Sequence, residues 1–280
     1  MKQIITLTTD FGLQDEYVGV MKGVILARAP AALLVDLCHA VPRQDIRQAA
    51  YRLRAALPYF PPGTIHVAVV DPGVGTGRRL LLVQARQQLF LAPDNGLLSF
   101  LFPEAGCGPA RAVTCEALFL QPVSATFHGR DILAPVAAAL ATGLAPDAVG
   151  PLVAPDDLVA LAWPGAEVEA RQGLIRGVVT GVDGFGNLLT SIHRRDLPAP
   201  RTEADWPGLR VTVLDTEIRG LRQTYGDGEV GRLLALFGSG GFLEVAVNQG
   251  SAAARLGVGP GTAVEVFVGQ EHGLLYNGVV

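Results

Sequence analysis

The chain has 280 residues and a mass of 29.4 kDa, enough for one large domain or two modest ones. Hydrophobic residues make up 49% and charged residues 17%, which excludes an intrinsically disordered protein, because disorder needs low hydrophobicity and high net charge. The 22 Lys and Arg residues against 26 Asp and Glu residues give a net charge of -4, and no dense basic run could follow a phosphate backbone. We therefore expect no nucleic-acid partner.

The start of the chain alternates like a strand and lacks the continuous apolar region of a signal peptide. No apolar stretch reaches the roughly 18 residues of a membrane span. We therefore expect a soluble, cytoplasmic protein that does not bind membranes. The three cysteines form no CxxC pair and the five histidines show no ligand spacing, so neither a disulfide framework nor a metal site is predicted.

In the first half, short β-rich apolar runs alternate with helical patterns, which is typical of a parallel sheet covered by helices. Strands are predicted at residues 4–8, 33–37, 65–70, 80–84 and 89–92. Apolar residues three and four apart predict a helix over 17–28, with Asp15 as its N-cap. Two more helices are predicted at 45–57 and 132–141.

In the second half, short strands without long helices are separated by Gly, Asp and Asn turns, which predicts a small antiparallel barrel or sandwich. The predicted strands are 174–182, 188–192, 209–214, 229–237, 242–247 and 263–268. Between the halves the sequence is rich in Pro, Ala, Asp and Gly and has little periodicity. We predict an α/β domain at 1–155, a linker at 156–169 and a smaller β domain at 170–280.

Polar loops follow the predicted strands of the first half, where ligands bind in open α/β sheets. Asp71 and Arg78 lie seven residues apart across flexible glycines, so the carboxylate and the guanidinium can meet in one pocket, and His128 lies in a second loop of this kind. The glycine-rich loop is neither GxGxxG nor a Walker A motif, so a diphosphate site is not favoured. The alternative is structural: Asp71 caps a turn, Arg78 is a solvated charge and His128 is a core histidine.

Asp10 follows the first strand, and a carboxylate there has enough acceptor sites to bind both hydroxyl groups of a ribose. An ordinary turn aspartate is the alternative, and turn chemistry equally explains Asn95 in the segment APDNG. In the second half, the segment VDGFGN combines the Asp183 carboxylate, the Phe185 ring and the Asn187 amide. These groups could hold an ammonium, stack on a purine and contact its edge. A tight hairpin with Phe185 in the core is the alternative.

Motifs that span nearly the whole chain carry a family resemblance. They are, in order, TTDFG, VDPGVGTGRR, APDNG, TFHGRDILAP, VDGFGNLLTSI and GSGGFLEVAVNQGSAA. Together they resemble the adenosine-forming S-adenosylmethionine (SAM) hydrolases, also called SAM hydroxide adenosyltransferases, which are relatives of the fluorinating and chlorinating SAM enzymes. The resemblance implies an N-terminal parallel-sheet α/β domain and a C-terminal antiparallel β-barrel domain. It also implies a homotrimer with each active site between the first domain of one chain and the second domain of its neighbour.

The resemblance also implies site residues, carried over motif by motif. The catalytic triad of the hydrolases falls on Asp71, Arg78 and His128. The substrate-binding candidates are Asp10 for the ribose, Asp183 and Ser239 for the amino and carboxylate groups of methionine, Asn187 for adenine, Phe185 and Tyr225 for the faces of the purine, and Phe11 and Asn95 from their motifs. No metal and no cofactor besides the substrate SAM is implied.

One departure separates the branches of this family. The halogenating enzymes carry an aromatic residue where this chain has Asp71, and they have a long insertion before the segment that corresponds to APDNG. A carboxylate beside the reacting carbon would repel a halide but would accept a hydrogen bond from water. The expected reaction is therefore hydrolysis of SAM to adenosine and methionine. A halide-using SAM transferase and a non-catalytic sensor that binds SAM or adenosine are the alternatives.

Overall fold

The structure, a computed structural model, describes residues 2–102, 107–198 and 208–268. Contacts divide the chain into a first unit that ends at Ala162 and a second unit that begins at Trp163. Residues 157–162 are tied to the first unit: Arg79 donates to the Asp157 carbonyl, and the Val159 amide donates to Asp94 at 3.0 Å. The end of the predicted second domain, at 269–280, lies outside the described residues.

The first unit contains a seven-stranded sheet in the order β2-β1-β3-β5-β4-β6-β7. Its strands are β1 (Ile4–Thr9), β2 (Leu33–Cys38), β3 (Ile65–Val69), β4 (Leu80–Ala85), β5 (Gln88–Pro93), β6 (Cys107–Ala112) and β7 (Leu152–Val153). The pairs β2-β1, β1-β3 and β3-β5 are parallel, which confirms the predicted parallel α/β domain. Strands β4, β6 and β7 extend this sheet in antiparallel pairs, because β4 and β5 are joined by a tight turn that leaves no room for a crossover helix.

The helices are α1 (Tyr17–Arg28), α2 (Ile46–Ala56) and α3 (Ala134–Ala141), the last preceded by a π-helix at Gly129–Leu133. Helices α1 and α3 pack on each other, and their buried residues share one apolar core with β1 and β3. The predicted N-cap at Asp15 is wrong: Glu16 occupies the cap position without a side-chain bond, while Asp15 lines a cavity. Asp45 does cap α2 through the Gln48 amide, 2.9 Å away. Among the described residues, no helix is long and apolar enough to cross a membrane.

The second unit is an antiparallel sheet in the order β12-β11-β15-β9-β10-β14-β13, with β8 paired to β9. Its elements are β8 (Glu167–Glu169), β9 (Leu174–Val182), β10 (Leu188–His193), β11 (Arg210–Val213), β12 (Thr216–Arg219), β13 (Leu233–Phe237), β14 (Phe242–Val247), α4 (Ala252–Leu256) and β15 (Ala263–Phe267). A single bridge between Arg222 and Leu236 joins the two ends of this order, so the sheet nearly closes on itself. This confirms the predicted small antiparallel barrel.

Candidate active site

The carboxyl ends of the parallel strands meet at one edge of the first sheet. Thr9 of β1 pairs with Val69 of β3, so Asp10, one residue further, and Asp71, two residues further, leave the sheet at the same edge. They border a cavity of about 490 Å³. Its lining residues are Asp10, Phe11, Asp15, Tyr17, Arg43, Gln44, Val69, Asp71, Pro72, Val74, Thr126, Phe127, His128 and Gly129.

Asp71, Arg78 and His128 are in direct contact at the wall of this cavity. Arg78 Nε donates to Asp71 Oδ1 at 2.7 Å, and Arg78 Nη2 donates to Asp71 Oδ2 as well. The same Nη2 atom lies 3.0 Å from His128 Nδ1. The Arg78 and Asp71 side chains are only 10% and 6% exposed, so this is a bidentate ion pair shielded from solvent. The alternative in which Arg78 is a solvated charge does not describe its position.

A glycine brings the two loops of this network together. Gly75 has φ 78°, and a Cβ atom at this position would lie 2.3 Å from the Ala125 carbonyl oxygen. Only glycine allows both this left-handed conformation and so close a backbone approach. The loop that follows β3 therefore packs directly on the loop that carries His128, which allows Arg78 to reach the imidazole.

The position of the His128 proton follows from its partner. A guanidinium can only donate, so Nδ1 of His128 is the acceptor, and the neutral ring carries its proton on Nε2. Burial lowers the pKa of His128, and the positive charge of Arg78 lowers it further, against the opposing effects of Asp71 and Asp131. The imidazole is therefore neutral near pH 7 and presents an N–H group.

Asp10 is held by the loop after β2, which is not among the loops predicted to bind a ligand. The Gln44 amide donates to Asp10 Oδ2 at 2.8 Å, and Gln44 itself has φ 64°. Next to Asp10, the Phe11 ring lies edge-on to Tyr17 and to Phe127, both with centroids 5.8 Å away. The cavity thus combines carboxylates with an aromatic wall.

Asn95 supports the network from behind. Its Nδ2 atom donates to the Val70 carbonyl at 2.9 Å, and its Oδ1 atom accepts from the Leu97 amide at 3.2 Å. Asn95 is not among the residues that line the cavity. Its contacts tie the end of β5 to the residue that precedes Asp71.

In the second unit, Asp183 and Asn187 form a closed turn. Asp183 Oδ1 accepts from the Phe185 and Asn187 amides, both at 2.9 Å, and Asn187 Nδ2 donates to Asp183 Oδ2 at 2.9 Å. The predicted tight hairpin is present, because Val182 of β9 pairs with Leu188 of β10, but the predicted core position of Phe185 is wrong, because this ring is 82% exposed. The turn leaves this ring in solvent, where it is free to stack on a planar ligand.

Tyr225 bonds to a carboxylate that is not among the predicted site residues. Its hydroxyl donates to Glu244 Oε2 at 2.6 Å. Burial raises the pKa of Glu244 and that of the Tyr225 hydroxyl, and the charge of Asp183 acts in the same direction on both. A Cβ atom at Gly238 would collide with the Glu244 carboxylate, so the loop that bears the exposed Ser239 lies against this residue.

Comparisons with known proteins show the family of this chain. The family model of the SAM hydroxide adenosyltransferase N-terminal domain matches residues 5–150, and that of the C-terminal domain matches residues 177–265. The chain belongs to the SAM hydroxide adenosyltransferase family. It is 42% identical over 270 residues to an (R)-S-adenosyl-L-methionine hydrolase from Thermus thermophilus, covering 92% of this chain and 97% of the relative.

Two further matches cover nearly the whole chain. A fluorinase from Nocardia brasiliensis is 31% identical over 296 residues, covering 96% of this chain and 98% of the relative. A crystal structure of an uncharacterized conserved protein from Thermotoga maritima superposes with a TM-score of 0.86 at 37% identity, covering 94% of this chain and 99% of that one.

In this member of the SAM hydroxide adenosyltransferase family, no three His, Cys, Asp or Glu residues cluster as metal ligands within the described ranges.

Three residues, Arg43, Gln44 and Glu244, are not predicted from the sequence as part of the site. Arg43 and Gln44 follow β2, a parallel strand whose carboxyl end lies at the same edge as those of β1 and β3. The rule that selected Asp10 and Asp71 would have selected them too. No comparable signal existed for Glu244, which lies within a strand and pairs with Leu189.

Proposed function

We propose that this protein hydrolyses SAM to adenosine and L-methionine by attack of water at C5′ of the adenosyl group. The observation that carries the proposal is the contact of a carboxylate, a guanidinium and an imidazole at the wall of one cavity. The name of a relative 42% identical over 92% of this chain supports the same reaction. SAM is the substrate, and the proposed reaction needs no metal or cofactor.

The reacting groups divide the work between substrate and protein. The sulfonium of SAM leaves as a neutral thioether, so no general acid is required. The water oxygen forms a bond to C5′, the C5′–S bond breaks, and its electron pair goes to sulfur. The proton lost by the water passes to the Asp71 carboxylate and then to solvent. Asp71 lines the cavity, and each of its oxygens keeps one acceptor site after bonding to Arg78.

In this proposal His128 is a donor and not the base. Its Nδ1 atom accepts from Arg78, so only the Nε2–H group is available to the cavity. A donor at this place binds one lone pair of the water, leaves the other for attack on C5′ and stabilises the hydroxide-like oxygen. Arg78 holds Asp71 and His128 in one arrangement, so the water is bound in a fixed geometry before the reaction begins.

The substrate is anchored by groups from both units. We assign the ribose to Asp10 beside Phe11, the amino and carboxylate groups of methionine to Asp183 and Ser239, and the adenine to Asn187, Phe185 and Tyr225. Asn95 acts through its bonds to the backbone. We further propose a homotrimer in which the first unit of one copy faces the second unit of its neighbour, because each unit carries only part of this set.

The relatives' names specify one stereochemistry at sulfur. We propose that this protein likewise prefers the (R) epimer at the sulfonium. Separate incubations with (R)-SAM and (S)-SAM would measure the ratio of kcat/KM, and a ratio near one would contradict this preference.

Identification of the nucleoside product separates the candidate activities. Incubation with SAM, with and without chloride, should yield adenosine and methionine in both cases. A chlorinated nucleoside would establish a halide-using transferase. Tight binding of SAM without any turnover would establish a sensor, and either result would overturn the proposal.

Co-expression of two inactive variants tests the shared site. Asp71→Ala damages the first unit and Asp183→Ala the second. In randomly mixed trimers with sites between neighbours, about a quarter of the sites combine two intact halves, so about a quarter of the wild-type activity should return. No recovery in mixed trimers would show that each site is built within one chain.

A further inference from the structure

A buried ion pair lies directly after His128, in the π-helix at Gly129–Leu133. Asp131 is fully buried, whereas the side chain of its neighbour Arg130 is one-third exposed. Single-turn π-helical segments are rare and often occur at functional sites. None of the roles proposed above uses this pair.

Asp131 closes the loop that carries His128. Its Oδ2 atom accepts from the Ser124 amide at 2.8 Å, and its carbonyl accepts from the Leu120 amide at 2.8 Å. Arg130 donates to the same carboxylate through Nε at 2.5 Å and Nη2 at 2.9 Å. The carboxylate therefore fixes the start of the loop from a position three residues beyond His128.

Arg130 holds the ring next to His128. Its guanidinium carbon lies 5.1 Å from the centroid of the Phe127 ring, within the range of a cation–π contact. Tyr17 contacts the same ring edge-on at 5.4 Å. Phe127 is thus held between a cation that belongs to the ion pair and an aromatic wall of the cavity.

The charges around His128 come from two loops and the cavity. Arg78 and Asp71 face it from the glycine-rich loop, and Asp131 acts on it from its own helix with Arg130 as counter-ion. Asp10, Asp15 and Arg43 line the same cavity. The charge of Asp131 raises the pKa of His128, although burial and Arg78 together outweigh it.

We propose that Asp131 is a positioning residue for His128 and that Arg130 is its partner in this role. The test by turnover rests on the proposed hydrolysis, whereas the test by titration of His128 does not. Asp131 keeps the Nδ1 atom of His128 within reach of Arg78, and the pair balances the electrostatic field at the imidazole. The two halves of the pair therefore act on the proton of His128 in opposite directions.

Two variants of the full chain test this directly. In Asp131→Asn the amide oxygen can still accept from Ser124 but the negative charge is lost, so His128 should titrate at lower pH. In Arg130→Met the charge of Asp131 is no longer balanced, so His128 should titrate at higher pH. NMR titration of the imidazole, assigned with His128→Gln, measures both shifts without substrate. Lys22→Met removes a cation from the exposed pair with Asp36 and should change neither titration nor turnover.

Turnover provides the second readout. The amide N–H group of Asp131→Asn would face Arg130 Nε, which removes the ion pair that holds the loop. A loop displaced by an ångström costs on the order of 100-fold, so this variant should lower kcat by about that factor with a much smaller change in KM. Shifts in the same direction for both variants, or no shift in either, would overturn the proposal. If Asp131→Asn fails to fold, a normal His128 titration in folded Arg130→Met would still overturn it. If both variants show the predicted pKa shifts of His128 but the wild-type protein shows no turnover of SAM, the proposed hydrolysis alone would be refuted.

Discussion

Replacing Asp71 with Asn removes the proposed proton acceptor with little change in shape. General-base contributions of about 100- to 10,000-fold correspond to roughly 3 to 5 kcal/mol of the activation barrier, and we expect kcat to fall within this range. The affinity for SAM should change little, because Asp71 is assigned to the water and not to the substrate. Turnover is measured as adenosine release, and affinity by calorimetry with the variant.

The geometry of the pair also predicts a loss of stability. One oxygen of Asn can still accept from Arg78 Nε, but the amide N–H group then faces the donor Nη2. Both side chains are nearly buried, so an unmatched donor should lower the free energy of unfolding by about 1 to 3 kcal/mol in urea denaturation.

Asp94→Asn is the matched control. Asp94 is a buried carboxylate of the same unit, bonded to Arg79 Nε at 2.8 Å, and it does not line the cavity. It should lose stability like Asp71→Asn while kcat stays within a few-fold of wild type. A wild-type kcat in Asp71→Asn, or an equal loss of kcat in both variants, would refute the assigned role of Asp71.

Three further predictions address other parts of the site. Gly75→Val should lower kcat by about 100-fold and lower the Tm, because the new Cβ atom would collide with the Ala125 carbonyl and separate Arg78 from His128. A wild-type kcat in this variant would contradict the prediction. Phe185→Ala should weaken SAM binding by about 5- to 150-fold in calorimetry with no change in Tm, since the ring is exposed and its proposed role is to stack on the substrate. The lowered pKa of His128 means that its neutral form, the active one in the proposal, persists to more acid pH. As the pH is lowered, kcat/KM should therefore stay constant past the ordinary imidazole pKa of about 6.5. A decline of kcat/KM that begins above that pH would contradict this prediction.

Much of the site can be predicted from the positions of its residues relative to the strands. Asp10 and Asp71 each follow a strand of a parallel sheet, and the carboxyl ends of such strands meet at one edge. The short, glycine-rich separation of Asp71 from Arg78 allows the ion pair that the structure contains. The second half likewise indicates an antiparallel sheet, because its short strands are separated by turn residues and not by long helices.

Other features depend on contacts that no local pattern encodes. The exposure of Phe185 is decided by the Asp183 side chain, which closes the turn and leaves the ring outside. The approach of Gly75 to Ala125 and the bond of Asp131 to Ser124 join segments whose meeting depends on the whole fold. The sequence does not distinguish the antiparallel β4 from the parallel strands, because burial on both of its faces removes the alternation that is typical of antiparallel strands.

The origin of the new oxygen atom tests the central claim most directly. Single-turnover reaction of SAM in water enriched in the heavy oxygen isotope, followed by mass spectrometry, should place one labelled oxygen on the 5′-hydroxyl group of adenosine and none in methionine. Unlabelled adenosine, or a nucleoside that carries another group at C5′, would show that water held at Asp71 is not the nucleophile.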